Sequence, residues 1–558
     1  MLAKIKALLA NQYVMLTAIL LFGFTIRIWG MGNAETFHDE GTYAFRSIGY
    51  VDYIQNEYQT TPIQWFKDAP ALPGWTKLSF HDHPPLYFLV QHVFFRSFGD
   101  SLFVARLPSL IAGMFAILLM FLIGKKLFQN ERAGILSAFL LSINHIHIWA
   151  SRTSITESLL LTLMLANIYF FLRLTEDKKW WFLFGLTLGL SFLTKYTAVA
   201  LVPVYLMYLL IFHRDYFRAW QLYLSGLVAL VLFSPVIVYN IYLFKTVQHF
   251  DLQLAYLFKQ AAPQWQASLG KVLDPFRTAF MPNMLAMYSK PFLLAAIIGF
   301  FASIFAWRKS SKDDRKTFIF LWLGIALTTL MLVKIGAGIR FLTLYIPFAI
   351  FMAAYAFLAV KKAINNKIFF GAILAVFVIF DGWFMISGIF IEFPHLGVVE
   401  VDQYLTQVFG SGRSAKLPQS PNPHLEAVIE RYARNMSSDE KAKMIVYDEN
   451  IILSAKLWLF TRRLYYHGIP AVTVAQFKQL MRERGVPYFH AYDIYFVKAN
   501  ERSTVIEPAR ATADAIELET FLTTQLRISP VFTAEGEQPK VGGGMERVRM
   551  LTVYKIEL

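Results

Sequence analysis

The chain has 558 residues, of which 56% are hydrophobic, 16% aromatic and only 16% charged, and its mean hydropathy is +0.45. That balance excludes a soluble globular protein and supplies many apolar runs long enough to cross a bilayer. Much of the formal net charge of +15 lies in short loops between apolar runs, which disfavours a nucleic-acid-binding reading, and the absence of cysteine excludes disulfides, thiolate metal sites and a cysteine nucleophile.

Lys4 and Lys6 precede a first apolar run at about 11–30 with no clear small-x-small cleavage site after it, so the run reads as an uncleaved first helix whose near end is cytoplasmic. Further candidate spans lie near 103–124, 133–150, 158–173, 180–194, 197–212, 219–240, 291–307, 317–333, 341–360 and 368–391. The reading is a polytopic α-helical membrane protein of about 11 to 13 transmembrane helices. The inner loops collect the cations: Lys125, Lys126 and Arg132; Arg173, Lys178 and Lys179; Arg214 and Arg218; Arg308, Lys309, Lys312, Arg315 and Lys316; Lys361, Lys362 and Lys367. With eleven spans, everything after Phe393 lies outside.

Three non-membrane parts are expected on the outer face. The loop 31–101 holds Pro62, Pro70, Pro73, Pro84 and Pro85 with Trp65, Phe66 and Trp75, and reads as short interfacial helices. The loop 241–290 mixes aromatics with Gln and Lys and reads as a lid over a lipid-facing cavity. Residues 394–558 change character. Short runs at 444–447, 494–497 and 550–554 read as strands, and 450–463 and 472–484 as helices, so this part is a soluble extracytoplasmic α/β domain following a membrane domain of residues 1–393.

The chemistry-bearing residues gather on the outer face. Asp39 and Glu40 follow the first span directly, and adjacent carboxylates at a membrane exit cost desolvation and add nothing to packing. A carboxylate there can accept a proton from an attacking hydroxyl while its neighbour orients it or raises its pKa. Arg152, Lys195, Lys334 and Arg340 stand at outer helix ends, against the orientation rule. Singly each reads as a snorkelling side chain; together, beside Asp39, Glu40 and Glu157, they form a basic rim suited to a phosphate leaving group. The segment His81-Asp82-His83-Pro84-Pro85 adds imidazoles on the same side. No strict metal-ligand spacing appears, so no metal site is assigned and a divalent ion stays open as a cofactor; His83 before two prolines reads as a rigid, hydrogen-bonding loop-to-helix junction.

At these residues the sequence resembles a known family. The Asp39-Glu40 pair, the His-Pro-Pro-Leu segment ending at Leu86, Ala105-Arg106-Leu107-Pro108-Ser109, Ser151-Arg152 followed by Glu157, Leu193-Thr194-Lys195, and Arg340-Phe341 with Pro347 look like the polyprenyl-phosphate-sugar-dependent glycosyltransferases of GT-C fold. The similarity is to the bacterial branch related to protein O-mannosyltransferases and aminoarabinose transferases, over roughly the first 390 residues. It implies that Asp39 is the general base for in-line attack on the anomeric carbon, with inversion, and that Glu40 is its acidic partner. It implies substrate-binding roles for His83, Arg152, Glu157, Lys195 and Arg340, with Lys195 and Arg340 near the carrier phosphate. Asp is commoner in the family where Glu157 stands.

The function this implies is transfer of a sugar from a polyprenyl-phosphate donor to a hydroxyl of a lipid, glycan or protein, on the outer face of the cytoplasmic membrane. The expected partners are that donor, the acceptor and membrane lipids, with no nucleic acid. A polytopic lipid or sugar transporter or flippase is the alternative; it should show paired half-helices or polar residues at mid-bilayer, whereas the polar signals here gather at one face. A non-catalytic assembly protein would not need Asp39 and Glu40.

Overall fold

The computed structural model describes residues 11–36, 38–53, 61–66, 72–260, 280–335, 338–364, 366–391, 395–409, 441–500, 503, 505, 520, 527–539 and 545–558. The chain groups into two compact units. The first comprises Met1–Met31, Trp75–Val90 and Phe103–Glu392, and the second Gly32–Gly74, Gln91–Leu102 and Phe393–Leu558. The first outer loop, read from the sequence as an appendage of the membrane domain, is therefore divided. Its segments 32–74 and 91–102 belong with the C-terminal part, because the helix His38–Gly49 packs Phe45 into a ring cluster with Tyr465 and Tyr466 of that part.

In the first unit every apolar run expected from the sequence is helical. Among the described residues, seven helices are long and apolar enough to cross a membrane: Leu102–Leu127, Thr156–Leu174, Trp220–Val247, Lys290–Lys309, Lys312–Lys334, Ile339–Ala363 and Lys367–Ile391. The pair Glu131–Ile143 and His145–Arg152, bent by 61°, is a broken span or a re-entrant loop, which would bring the total to eight if it crosses. The runs Gln12–Ile28, Trp181–Thr194 and Tyr196–Phe212 are shorter. The bend was not expected. Asn144 leaves the helical region (φ −67°, ψ 122°) and its side chain accepts the His147 amide at 3.1 Å, so it starts a new helix where an apolar residue would have continued the old one.

Capping side chains start the helices at their sequence-expected positions. Asn11 accepts from the Tyr13 amide, Asn130 from that of Arg132, and Ser289 from that of Phe292, the last just ahead of Pro291. Small residues let helices touch backbone to backbone. A Cβ on Gly299 would overlap the Met352 carbonyl, and one on Gly185 would overlap that of Ser225. The helix Ile339–Ala363 is central, with 78% of its apolar window buried, whereas Lys367–Ile391 at 17% turns most of its surface outward, Phe380 and Trp383 included. That outward apolar surface needs lipid.

The loop expected at 241–290 begins later than the hydropathy suggested, because Trp220–Val247 continues through Pro235 until Gln248 takes a left-handed φ of 62° and ends it. Helices Leu252–Leu257 and Met281–Met287 follow, and the rest of the expected lid, 261–279, lies outside the described residues.

The second unit is built on a five-stranded sheet of order β2-β1-β3-β5-β4, with β1 Ala442–Tyr447, β2 Ala471–Thr473, β3 Tyr492–Ala499, β4 Arg527–Pro539 and β5 Met545–Glu557. Strands β1, β2 and β3 are parallel and joined by helical crossovers; β5 runs antiparallel between β3 and β4. Met444, Val446, Phe477, Phe489, Ile494, Phe496 and Ile556 fill one core. The expected strands correspond to β1, β3 and β5. Three-residue β2 and polar β4, which carries Pro530 and Pro539 and two register shifts at the sheet edge, give too little alternation to be read.

Candidate active site

Glu157 lies in the first turn of the helix Thr156–Leu174, and Lys195 caps the C-terminal end of Trp181–Thr194 in extended backbone (φ −163°, ψ 140°). Each residue stands at the helix end that favours its charge, the carboxylate at an N-terminus and the ammonium at a C-terminus. Lys195 Nζ donates to Glu157 Oε1, Thr156 Oγ1 donates to Oε2 at 3.1 Å, and Arg340 Nε lies 3.9 Å from Oε1. The Glu157 and Lys195 side chains are 1% and 8% exposed, but Arg340 keeps 26%, so the cluster has one open edge. Phe341 is shared, its ring centre 4.8 Å from Lys195 Nζ and 5.4 Å from the Arg340 guanidinium. One carboxylate thus faces two cations, and the three groups carry a net positive charge in a largely dehydrated place. Such a site favours an anion with several acceptor oxygens.

Arg152 is engaged elsewhere. Its Nη1 donates to the carbonyls of Ile26, Arg27 and Trp29 at 2.8, 2.9 and 2.7 Å, so it caps the end of the first helix, and the Phe390 ring covers its guanidinium at 4.8 Å. Nearby, Arg106 donates to the Met31 carbonyl, and Arg27 to the carbonyls of Gly23 and Ser142 and to His147 Nδ1 at 2.7 Å. No described contact joins Arg152 to Glu157, Lys195 or Arg340. Because three carbonyls lose their donor together, Arg152→Ala should lower thermal stability in detergent by about 1–3 kcal/mol, as scanning fluorimetry can check.

His83 is buried, its Nδ1 3.0 Å from Asp82 Oδ2. Its carbonyl accepts from the Phe80 amide at 3.1 Å and the Ser79 hydroxyl at 3.3 Å, closing a tight turn before Pro84 and Pro85. The turn is docked on the far end of Trp220–Val247. Trp75 stacks on Tyr242 with centroids 5.7 Å apart, and the Leu252 amide donates to the His81 carbonyl at 2.9 Å. Among the described residues no three His, Cys, Asp or Glu side chains gather as a metal-ligand set.

Asp39 and Glu40 lie in the second unit, in the first turn of His38–Gly49, where an N-terminal helix dipole stabilises negative charge. Glu40 is fully buried and Asp39 half-buried. The structure therefore brings Glu157, Lys195 and Arg340 together within one unit and Asp39 and Glu40 together within the other.

The family model for dolichyl-phosphate-mannose-protein mannosyltransferases matches residues 82–239, the stretch holding His83, Arg152, Glu157 and Lys195. The archaeal oligosaccharyltransferase AglB from Archaeoglobus fulgidus, solved with an inhibitory peptide and a dolichol-phosphate, superposes with a TM-score of 0.52 at 13% identity, over 96% of this chain and 74% of that one. ArnT from Cupriavidus metallidurans, solved with undecaprenyl phosphate, gives 0.52 at 14% identity over 97% of each chain. The chain has the GT-C fold. No curated protein sequence matches it.

Within this GT-C fold the structure adds a group that the sequence reading did not single out. Asp251, fully buried, accepts from the Tyr196 hydroxyl at 2.5 Å and Asn240 Nδ2 at 2.8 Å, and caps the amides of Gln253 and Leu254. Burial raises its carboxyl above the usual range against the pull of those hydrogen bonds. Since Tyr196 follows Lys195 directly, this network fixes the backbone that presents the lysine. Its one sequence signal was Asn240, a polar residue closing an apolar run. Arg27 and Arg106 carried a clearer one, as charges inside or beside apolar runs.

Proposed function

We propose that the protein is an inverting glycosyltransferase that moves a sugar from a polyprenyl-phosphate donor to a hydroxyl acceptor. The observation that carries this is the Glu157–Lys195–Arg340 cluster, one buried carboxylate beneath two cations with an open edge at Arg340, set in a GT-C fold. AglB and ArnT, named above with dolichol-phosphate and undecaprenyl phosphate, share that fold and support the lipid-phosphate donor. In the proposed step the acceptor hydroxyl gives its proton to Asp39 as its oxygen bonds to the anomeric carbon from the face opposite the phosphate. The anomeric C–O bond breaks, and its electron pair leaves with the polyprenyl phosphate. Lys195 and Arg340 stabilise the charge growing on that phosphate, Glu157 holds the two cations in place, and Glu40 orients Asp39. Arg152 and His83 serve this site through the backbone they brace. No nucleotide takes part in this step, because the sugar arrives activated on the lipid.

A radiolabelled polyprenyl-phosphate sugar assay with purified protein tests the reading. Label appearing on an acceptor supports it; label crossing the membrane with its phosphate bond intact makes the protein a transporter. Mass spectrometry of glycolipids, glycans and glycoproteins from a deletion strain then assigns the acceptor.

We place the reaction on the outer, periplasmic face of the inner membrane, from the distribution of Lys and Arg between loops. A reporter fused after Leu558 should be active only outside the cytoplasm, and one inserted at Lys312 only inside it. Activity of both on one side would overturn this orientation.

A further inference from the structure

Resting on the proposed role of Asp39, we propose that the C-terminal α/β part of the chain is the holder of the acidic pair, with Gly41 and Tyr466 as positioning residues of the reaction. The helix His38–Gly49 is fastened to that part along one face, and both its ends are pinned. Gly41, Phe45 and Gly49 recur every four residues and so share a stripe on the helix surface. At Gly41 the helix meets the backbone of Ser454, in the first turn after β1. A Cβ there would overlap the Ser454 carbonyl oxygen and come within 3.1 Å of its carbon, so no residue larger than glycine fits unless the two backbones separate. Phe45 is fully buried, its ring 5.7 Å from Tyr53 and Tyr465 and 5.4 Å from Tyr466. The Tyr466 hydroxyl donates to the Phe45 carbonyl at 2.7 Å, and a Cβ on Gly49 would lie 2.8 Å from the same hydroxyl.

The two ends are pinned separately. Before the helix, Glu35 accepts from the amides of Leu396 and Val398 at 2.9 and 3.2 Å, capping the helix Val398–Phe409. After it, His92 Nδ1 meets the Ser47 and Ile48 carbonyls at 2.8 and 3.1 Å, and Arg46 pairs with Asp52 at 2.9 Å with both side chains at most 2% exposed. Asp39 lies two residues before Gly41, about 200° round the helix from it, and so stands away from the stripe that is clamped. Tyr43 and Arg46, which share the side of Asp39, are buried as well, so the helix is enclosed on both sides with the half-buried Asp39 at its start. Its position along its own axis is set by Gly41 against Ser454, and its rotation by the Phe45 ring cluster.

A general base works only within hydrogen-bond reach of the proton it takes, and a displacement of about 1 Å can cost ~10²-fold in rate. The arrangement makes the placement of Asp39 depend on contacts contributed by residues 453–466, more than four hundred positions along the chain. The C-terminal part is accordingly a component of the catalytic machinery, whatever it does for the acceptor.

The test uses the full-length protein and compares Gly41→Ala and Tyr466→Phe with the parent, with Asp39→Asn, and with Gly371→Ala, where an added Cβ meets nothing within 4 Å. The first two should lower kcat with donor KM unchanged, Gly41→Ala by roughly 10- to 100-fold and with lowered melting because two backbones must separate, Tyr466→Phe with melting close to that of the parent. Gly371→Ala should behave as the parent. Tyr466→Phe removes a single hydroxyl and keeps the ring, so it decides the matter if Gly41→Ala does not fold. Parent-like kcat in the folded variants, or a loss carried by donor KM, overturns the proposal while an inactive Asp39→Asn leaves the function standing. An active Asp39→Asn protein overturns both.

Discussion

Asp39→Asn should abolish transfer while leaving membrane insertion and expression intact. The substitution keeps the shape of the side chain and its place in the first turn of His38–Gly49, and removes its charge and its ability to take a proton. Loss of a general base costs typically ~10²- to 10⁴-fold, so the residual rate should fall near the limit of a radiolabel assay. Because Gly41, Phe45 and Gly49 all hold the helix, the variant should remain folded. Glu40→Gln gives a second measurement. That residue is fully buried, so the amide should lower stability as well as rate, and the pair of results separates the group that reacts from the group that supports it. Near-normal turnover in purified Asp39→Asn protein would remove Asp39 from the mechanism.

How much of this was legible in the sequence depended on how local the cause was. The membrane helices were, because a run such as 368–391 must satisfy its backbone internally in lipid and its composition alone reports that. The kink at Asn144 and the continuation of Trp220–Val247 past residue 240 turn on single capping residues and shift boundaries without altering the count of apolar runs. Cations on the unfavoured face were visible as a group, but their division of labour was not. Arg152 and Lys195 look alike in sequence, each at a helix end, yet one closes on three carbonyls of a helix 123 to 126 residues earlier and the other on a carboxylate 38 residues earlier. Only the tertiary structure separates a cap from a charge cluster. For the same reason the attachment of His38–Gly49 to the C-terminal part was illegible: Gly41 carries no signal until the Ser454 carbonyl is seen against it.

Lys195→Ala and Arg340→Ala should each weaken donor binding or slow transfer by roughly 10- to 1000-fold, the range for removing one electrostatic stabiliser. The two should differ in kind. Lys195 is the closer and more buried partner of Glu157, so its removal leaves that buried carboxylate with the Thr156 hydroxyl and with Arg340 at 3.9 Å, and should lower stability as well as donor affinity. Arg340 keeps a quarter of its surface, and its loss should fall on the donor with little change in melting. Since both cations face one carboxylate, their effects should not add: with either gone, Glu157 engages the survivor and withholds it from the phosphate, so the double variant should lose less than the two single losses combined. Glu157→Gln makes the opposite change. It takes the Glu157 charge away from both cations, so inorganic phosphate should bind the variant more tightly, while turnover still falls because Lys195 loses its ion pair with Glu157. Phosphate inhibition curves across the four proteins decide between the readings. Parent-like donor affinity and turnover in both single variants would make these residues interfacial anchors, and the search for the phosphate site would move to the exposed Lys334.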